Sequence, residues 1–102
     1  MPVFAFLGWD GPRGAELRPR HRPAHLAGLE PLAAAGRIRH AGPLLGAGGR
    51  PVGSLVLFEA ASLEEARALA ARDPYVVEGI FERHAVHETP VVLPRGAAPP
   101  AP

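Results

Sequence analysis

Two short stretches, Val3–Trp9 (VFAFLGW) and Val52–Glu59 (VGSLVLFE), are apolar at both odd and even positions. Alternate side chains of a strand point to opposite faces. Val3, Ala5, Leu7 and Trp9 would therefore line one face, with Phe4, Phe6 and Gly8 on the other. The second stretch divides into Val52, Ser54, Val56 and Phe58 against Gly53, Leu55 and Leu57. A sheet built on such strands needs cover on both sides, because each Å² of apolar surface left in water forgoes about 25 cal/mol. A chain of 102 residues has room for one core, so the second cover cannot come from a second domain.

The remaining elements follow from local signals. Asp10-Gly11-Pro12 closes the first strand, and residues 10–21 mix Gly, Pro and Arg without periodicity, which reads as a loop. A helix is expected from Pro23, since proline at the first helical position forfeits no hydrogen bond. His25, Leu29 and Leu32 then share a buried stripe widened by Leu26 and Ala33. Pro31 should bend this helix, and Gly36 should stop it. Arg37–Leu45 is a second strand closing on Gly42-Pro43, and residues 47–51 make a loose hairpin loop into the third. Ser62 and Glu65 form a capping box for a second helix with the stripe Leu63, Ala66, Leu69 and Ala70. Asp73-Pro74 ends that helix and opens a single turn through Val77, and Ile80–His87 is the fourth strand.

Strand, helix, strand, strand, helix, strand is the ferredoxin-like order: an α+β fold, βαββαβ, with a four-stranded antiparallel sheet and both helices on one face. The folded domain is expected over residues 1–89, followed by a Pro/Ala-rich tail over 90–102 whose end, 97–102, should be polyproline-like and mobile. Helices cover one face of the sheet only. The expected cover for the other is the same face of a second copy, giving a homodimer.

Composition removes several function classes. Cysteine is absent, which excludes disulfides, thiolate metal sites and cysteine nucleophiles. All eleven basic side chains are Arg, and the net charge is +1. Arg13, Arg18, Arg20 and Arg22 cluster, but four charges balanced by ten acids elsewhere make a weak nucleic-acid signal, and no nucleic-acid partner is expected. No apolar run approaches a membrane span. The N-terminal apolar segment has no basic residue before it and is too short for a signal peptide, so a cytoplasmic location away from membranes is expected.

Residue order now carries a resemblance. Arg22-Pro23-Ala24-His25-Leu26, Ala34-Ala35-Gly36-Arg37, Ala41-Gly42-Pro43, Gly53-Ser54, Ser62-Leu63-Glu64-Glu65-Ala66 and Asp73-Pro74-Tyr75 with Gly79 together resemble the YciI (YCII-related) family over residues 3–88. The resemblance implies a dimeric α+β barrel of ferredoxin-like protomers. It also implies an active site on a histidine and an aspartate, here His25 and Asp73. The fold is shared with muconolactone isomerases and cofactor-free monooxygenases, and a dehydrochlorinase of chlorinated hydroxyquinol has been placed in the family. One fold hosts many chemistries, so that kinship is analogy.

His25 would be the proton shuttle, since imidazole titrates near neutrality. In the first turn of its helix, the positive dipole end would keep the ring neutral. The plainer reading is a histidine packed at the core edge and bonded to a carbonyl. Asp73 would hold one ring nitrogen and aim the other at substrate; it is equally a good N-cap for the turn after it. Distance decides between these readings. Substrate contacts are expected from Arg22, Ser54 and Tyr75, with Gly42 and Pro43 on the pocket wall and Phe4, Phe6 and Phe81 as apolar lining. No metal site is expected: His84 and His87 have a suggestive spacing, but a strand puts them on opposite faces. No cofactor is expected either, for Gly46-x-Gly48-Gly49 links two strands rather than opening a helix.

The function so implied is a small cofactor-independent lyase, isomerase or hydrolase acting on a cyclic or aromatic metabolite by His–Asp acid/base chemistry. A non-catalytic small-molecule-binding or accessory protein using the same pocket is the alternative.

Overall fold

The computed structural model describes residues 1–95. The expected polyproline-like stretch at 97–102 lies outside them. Strands β1 (Val3–Asp10), β2 (Ile38–Leu45), β3 (Pro51–Glu59) and β4 (Phe81–Glu88) form one antiparallel sheet in the order β2-β3-β1-β4. Helices α1 (Gly14–Ala34), α2 (Leu63–Ala71) and the single turn α3 (Pro74–Val77) supply the other layer. This is the ferredoxin-like α+β fold, with an open sheet rather than a closed barrel.

The face chemistry of the strands decides which side the helices take. Phe4, Phe6, Val56 and Phe58 are buried beneath the helices, with Ala66 and Ala70 of α2 and Leu17 of α1 above them. Ala5, Leu7, Trp9, Leu55, Leu57 and Ala85 share the opposite face and stay half-buried. Pro43 sits within β2, which is tolerable because β2 is an edge strand and its missing N–H costs no ladder bond on the open side. Among the described residues, no helix is long and apolar enough to cross a membrane.

Several local expectations hold. The Glu65 N–H donates to Ser62 Oγ at 3.1 Å, capping α2. The Tyr75 N–H donates to Asp73 Oδ1 at 2.8 Å, capping α3. Gly36 follows α1 at φ +72°, a conformation open to glycine at little cost. The hairpin loop contains a short 3₁₀ turn over Ala47–Gly49.

The stretch 10–21 is where the reading fails. It is not a loop: α1 begins at Gly14, nine residues before Pro23, and runs through Pro19, Pro23 and Pro31. Each proline removes the bond to a carbonyl four residues earlier. All three prolines are exposed, where water can serve the carbonyls they free. Tertiary contacts then outweigh propensity: Leu17 and His25 are buried at helical spacing, and Arg18 is tied to β1 and β3. One consequence bears on chemistry. His25 lies in the fourth turn of α1 rather than the first, too far from the helix N-terminus for the dipole end to act on its ring.

Candidate functional site

His25 reaches inward from α1 and is 8% exposed. Its Nδ1 lies 2.9 Å from both Oδ1 and Oδ2 of Asp73, which stands 48 positions later in the chain. A carboxylate can only accept, so Nδ1 carries a hydrogen and donates to it; in the neutral ring this tautomer puts the lone pair on Nε2. Asp73 performs two tasks at once, because Oδ1 also takes the Tyr75 N–H. The α2–α3 junction builds this geometry: Asp73 caps α3 in extended backbone, and Pro74 at the first helical position fixes the turn.

Tyr75 completes the mount. Its ring stacks on the imidazole at 4.0 Å between centroids and 3° between planes. The other side of that mount is Phe81, edge-on to Tyr75 at 5.6 Å. Phe81 in turn needs Gly8, where any Cβ would overlap its ring. Burial pushes the Tyr75 hydroxyl above the ordinary tyrosine range, so it is a neutral donor near neutrality.

Arg18 was not foreseen. Its Nε and Nη2 donate to Asp10 Oδ2 and Oδ1 at 2.6 and 2.8 Å, and Nη2 also donates to the Gly53 carbonyl at 2.8 Å and Ser54 Oγ at 3.1 Å. Its guanidinium carbon lies 5.1 Å from the centre of the Tyr75 ring. The bonds to Asp10 raise the Arg18 pKa further above its already high value. The legible signal was spacing: Arg18, Arg22 and His25 fall at i, i+4 and i+7 once the helix is extended backwards.

A cleft of about 360 Å³ opens beside these groups. His25, Arg22, Ser54, Tyr75, Gly42 and Pro43 all line it, together with Arg18. Asp73 stands behind the imidazole and does not. Phe4, Phe6 and Phe81 do not line it either: they point into the core, and the apolar wall comes from Pro19, Leu26, Pro43 and Pro51. A second, smaller cavity of about 200 Å³ lies between α1 and α2, with apolar walls from Phe6, Leu29, Leu69 and others and Asp73 at one end. It holds no imidazole, hydroxyl or free nucleophile, so the larger cleft is the chemical one. Among the described residues no three His, Asp or Glu side chains gather as metal ligands, and His84 and His87 do lie on opposite faces of β4.

Comparison with known proteins agrees with this frame. The YCII-related domain family model matches residues 3–90. Protein YciI of Escherichia coli O6:H1 and its counterpart in Shigella flexneri are each 40% identical over 91 residues, covering 82% of this chain and 92% of theirs. Among solved structures, 5-chloro-2-hydroxyhydroquinone dehydrochlorinase (TftG) from Burkholderia phenoliruptrix AC1100, in complex with 2,5-dihydroxybenzoquinone, superposes with a TM-score of 0.75 at 34% identity. That match covers 83% of this chain and 90% of that one. A NIPSNAP domain protein from Burkholderia xenovorans, at 13% identity and a TM-score of 0.51 over 91% of this chain and 97% of that one, shares the fold. With the family model spanning nearly the whole folded chain and relatives at this identity, the chain belongs to the YCII-related (YciI) family.

Proposed function

We propose that this protein is a small enzyme that moves a proton on a cyclic or aromatic metabolite using its own side chains. The observation that carries this reading is the His25–Asp73 pair at the wall of a cleft. With Nδ1 committed to Asp73, Nε2 is the ring atom that takes a proton from a bound substrate and returns it; Asp73 orients the imidazole and stabilises the imidazolium formed in between. Loss of a leaving group from the resulting anion gives a lyase, and return of the proton to another atom gives an isomerase. The similarity to a dehydrochlorinase that binds a dihydroxybenzoquinone supports a ring of that size.

Turnover tests this directly. A screen of small hydroxylated quinones and lactones should give a reaction with the wild-type protein that His25→Ala lowers by about 10²–10⁴-fold. Unchanged turnover in His25→Ala, with its melting temperature unchanged, sinks the reading. A ligand that binds through His25 yet never reacts makes the protein a binding module instead.

We further propose that two copies pair through the outer sheet face. The half-buried Leu7, Leu55, Leu57 and Ala85 form one contiguous apolar surface there, and sheet-to-sheet packing would remove it from water.

A further inference from the structure

The cleft beside His25 has two guanidinium groups on its wall, one turn apart on α1, and they are not equivalent. Arg18 is fully engaged: both Asp10 oxygens cancel its charge, and the Gly53 carbonyl and Ser54 Oγ take further bonds. Arg22 pairs with no acid among the described residues. No acidic side chain lines the cleft, and Asp73 is screened from it by the imidazole. One uncompensated positive charge therefore lines a hollow whose other walls are the engaged Arg18, His25, Ser54 and Tyr75 and apolar residues such as Pro19, Leu26, Pro43 and Pro51.

Ser54 adds a second observation. It is 6% exposed, and its oxygen already accepts from Arg18. A hydroxyl that accepts through its lone pair has its own hydrogen left to donate. Ser54 lines the cleft, so that donor is available to whatever fills it.

Resting on the reading of this cleft as the substrate site, we propose that it selects a planar ring carrying an ionised oxygen: a carboxylate, phenolate or enolate. Arg22 is the countercharge, the Ser54 hydroxyl is the second donor to the oxyanion, and Arg18 is a positioning residue that aims Ser54. A neutral ring of the same shape gains only the apolar contacts. A planar guanidinium matches such an oxygen better than a point charge does.

Benzoate and benzamide, nearly identical in shape and differing in charge, test this by calorimetric titration at one pH and one salt concentration. The wild-type protein should bind benzoate at least about tenfold more tightly than benzamide, the size of one charge-assisted contact. Arg22→Gln should bring benzoate down to the benzamide level and leave benzamide unchanged. Ser54→Ala should weaken benzoate several-fold at an unchanged melting temperature. Arg20→Gln removes the same charge from α1 outside the cleft and should alter neither affinity. Equal affinity for the two rings, equal effects of Arg22→Gln and Arg20→Gln, or no binding of either ring at millimolar concentration overturns the proposal. The His25→Ala protein separates this inference from the catalytic one. If it keeps the benzoate preference while turnover is unaffected by the substitution, acid–base chemistry at His25 falls and anion selection stands.

Discussion

At the scale of single residues, the site depends on a buried ion pair and a buried phenol that serve different ends. Arg18 and Asp10 are 12% and 7% exposed in their side chains, so neither charge is well solvated without the other. Arg18→Ala leaves the Asp10 carboxylate buried and unpaired, and we expect a loss of about 3 kcal/mol in urea unfolding. Arg18→Lys should recover only part of it, because an ammonium cannot make the forked contact. Tyr75 offers a cleaner measurement. It is the one tyrosine of a chain with neither lysine nor cysteine, so little else titrates near pH 10. Burial raises its folded pKa above the unfolded value near 10.0. The stability it contributes is therefore complete below about pH 10 and is lost as pH rises through the folded value. Ultraviolet titration of the phenol should show the delayed ionisation directly. Tyr75→Phe should remove the alkaline decline in melting temperature; a decline that persists in that variant assigns the effect elsewhere.

At the scale of elements, α2 and α1 illustrate opposite kinds of support. The start of α2 is local: the bond from the Glu65 N–H to Ser62 Oγ satisfies one of the free amides of the first turn. Ser62→Ala should cost about 1 kcal/mol by chemical denaturation, and Ser62→Asp much less. The start of α1 has no such device, since no side chain caps it and three prolines interrupt its bonds. Its first turns are held by Leu17 in the core and by Arg18 across β1 and β3. That is why the stretch before Pro23 reads as a loop: local signals there favour breakage, and the contacts that prevail come from strands elsewhere in the chain. The boundary error matters for function, because it moved His25 from a helix terminus to a helix interior and hid the alignment of Arg18 with Arg22. What fixes the imidazole is a carboxylate, not a dipole.

At the scale of the whole molecule, the sheet has one face covered and one half-covered. Pairing through the outer face predicts a dimer by analytical ultracentrifugation at micromolar concentration. Leu55→Glu, which puts a charge in the middle of that face, should yield a monomer that retains its circular dichroism spectrum. A wild-type chain that sediments as a monomer would end the pairing reading, leaving the site, which lies on the helix side, intact.

The number and order of elements were settled by the chain itself. Period-two apolarity, a capping serine, and a glycine after a helix each act over a few residues, where sequence and conformation are coupled most directly. Asp73 as an N-cap belongs to the same class. Its contact with His25 does not: 48 positions separate them, and only the packing of α1 against α3 brings the ring to the carboxylate. Arg18, Asp10 and Ser54 converge for the same reason, from one helix and two strands. Local bonding rules wrote the elements, and long-range burial, which no short window of residues can register, decided where α1 begins and which charges meet.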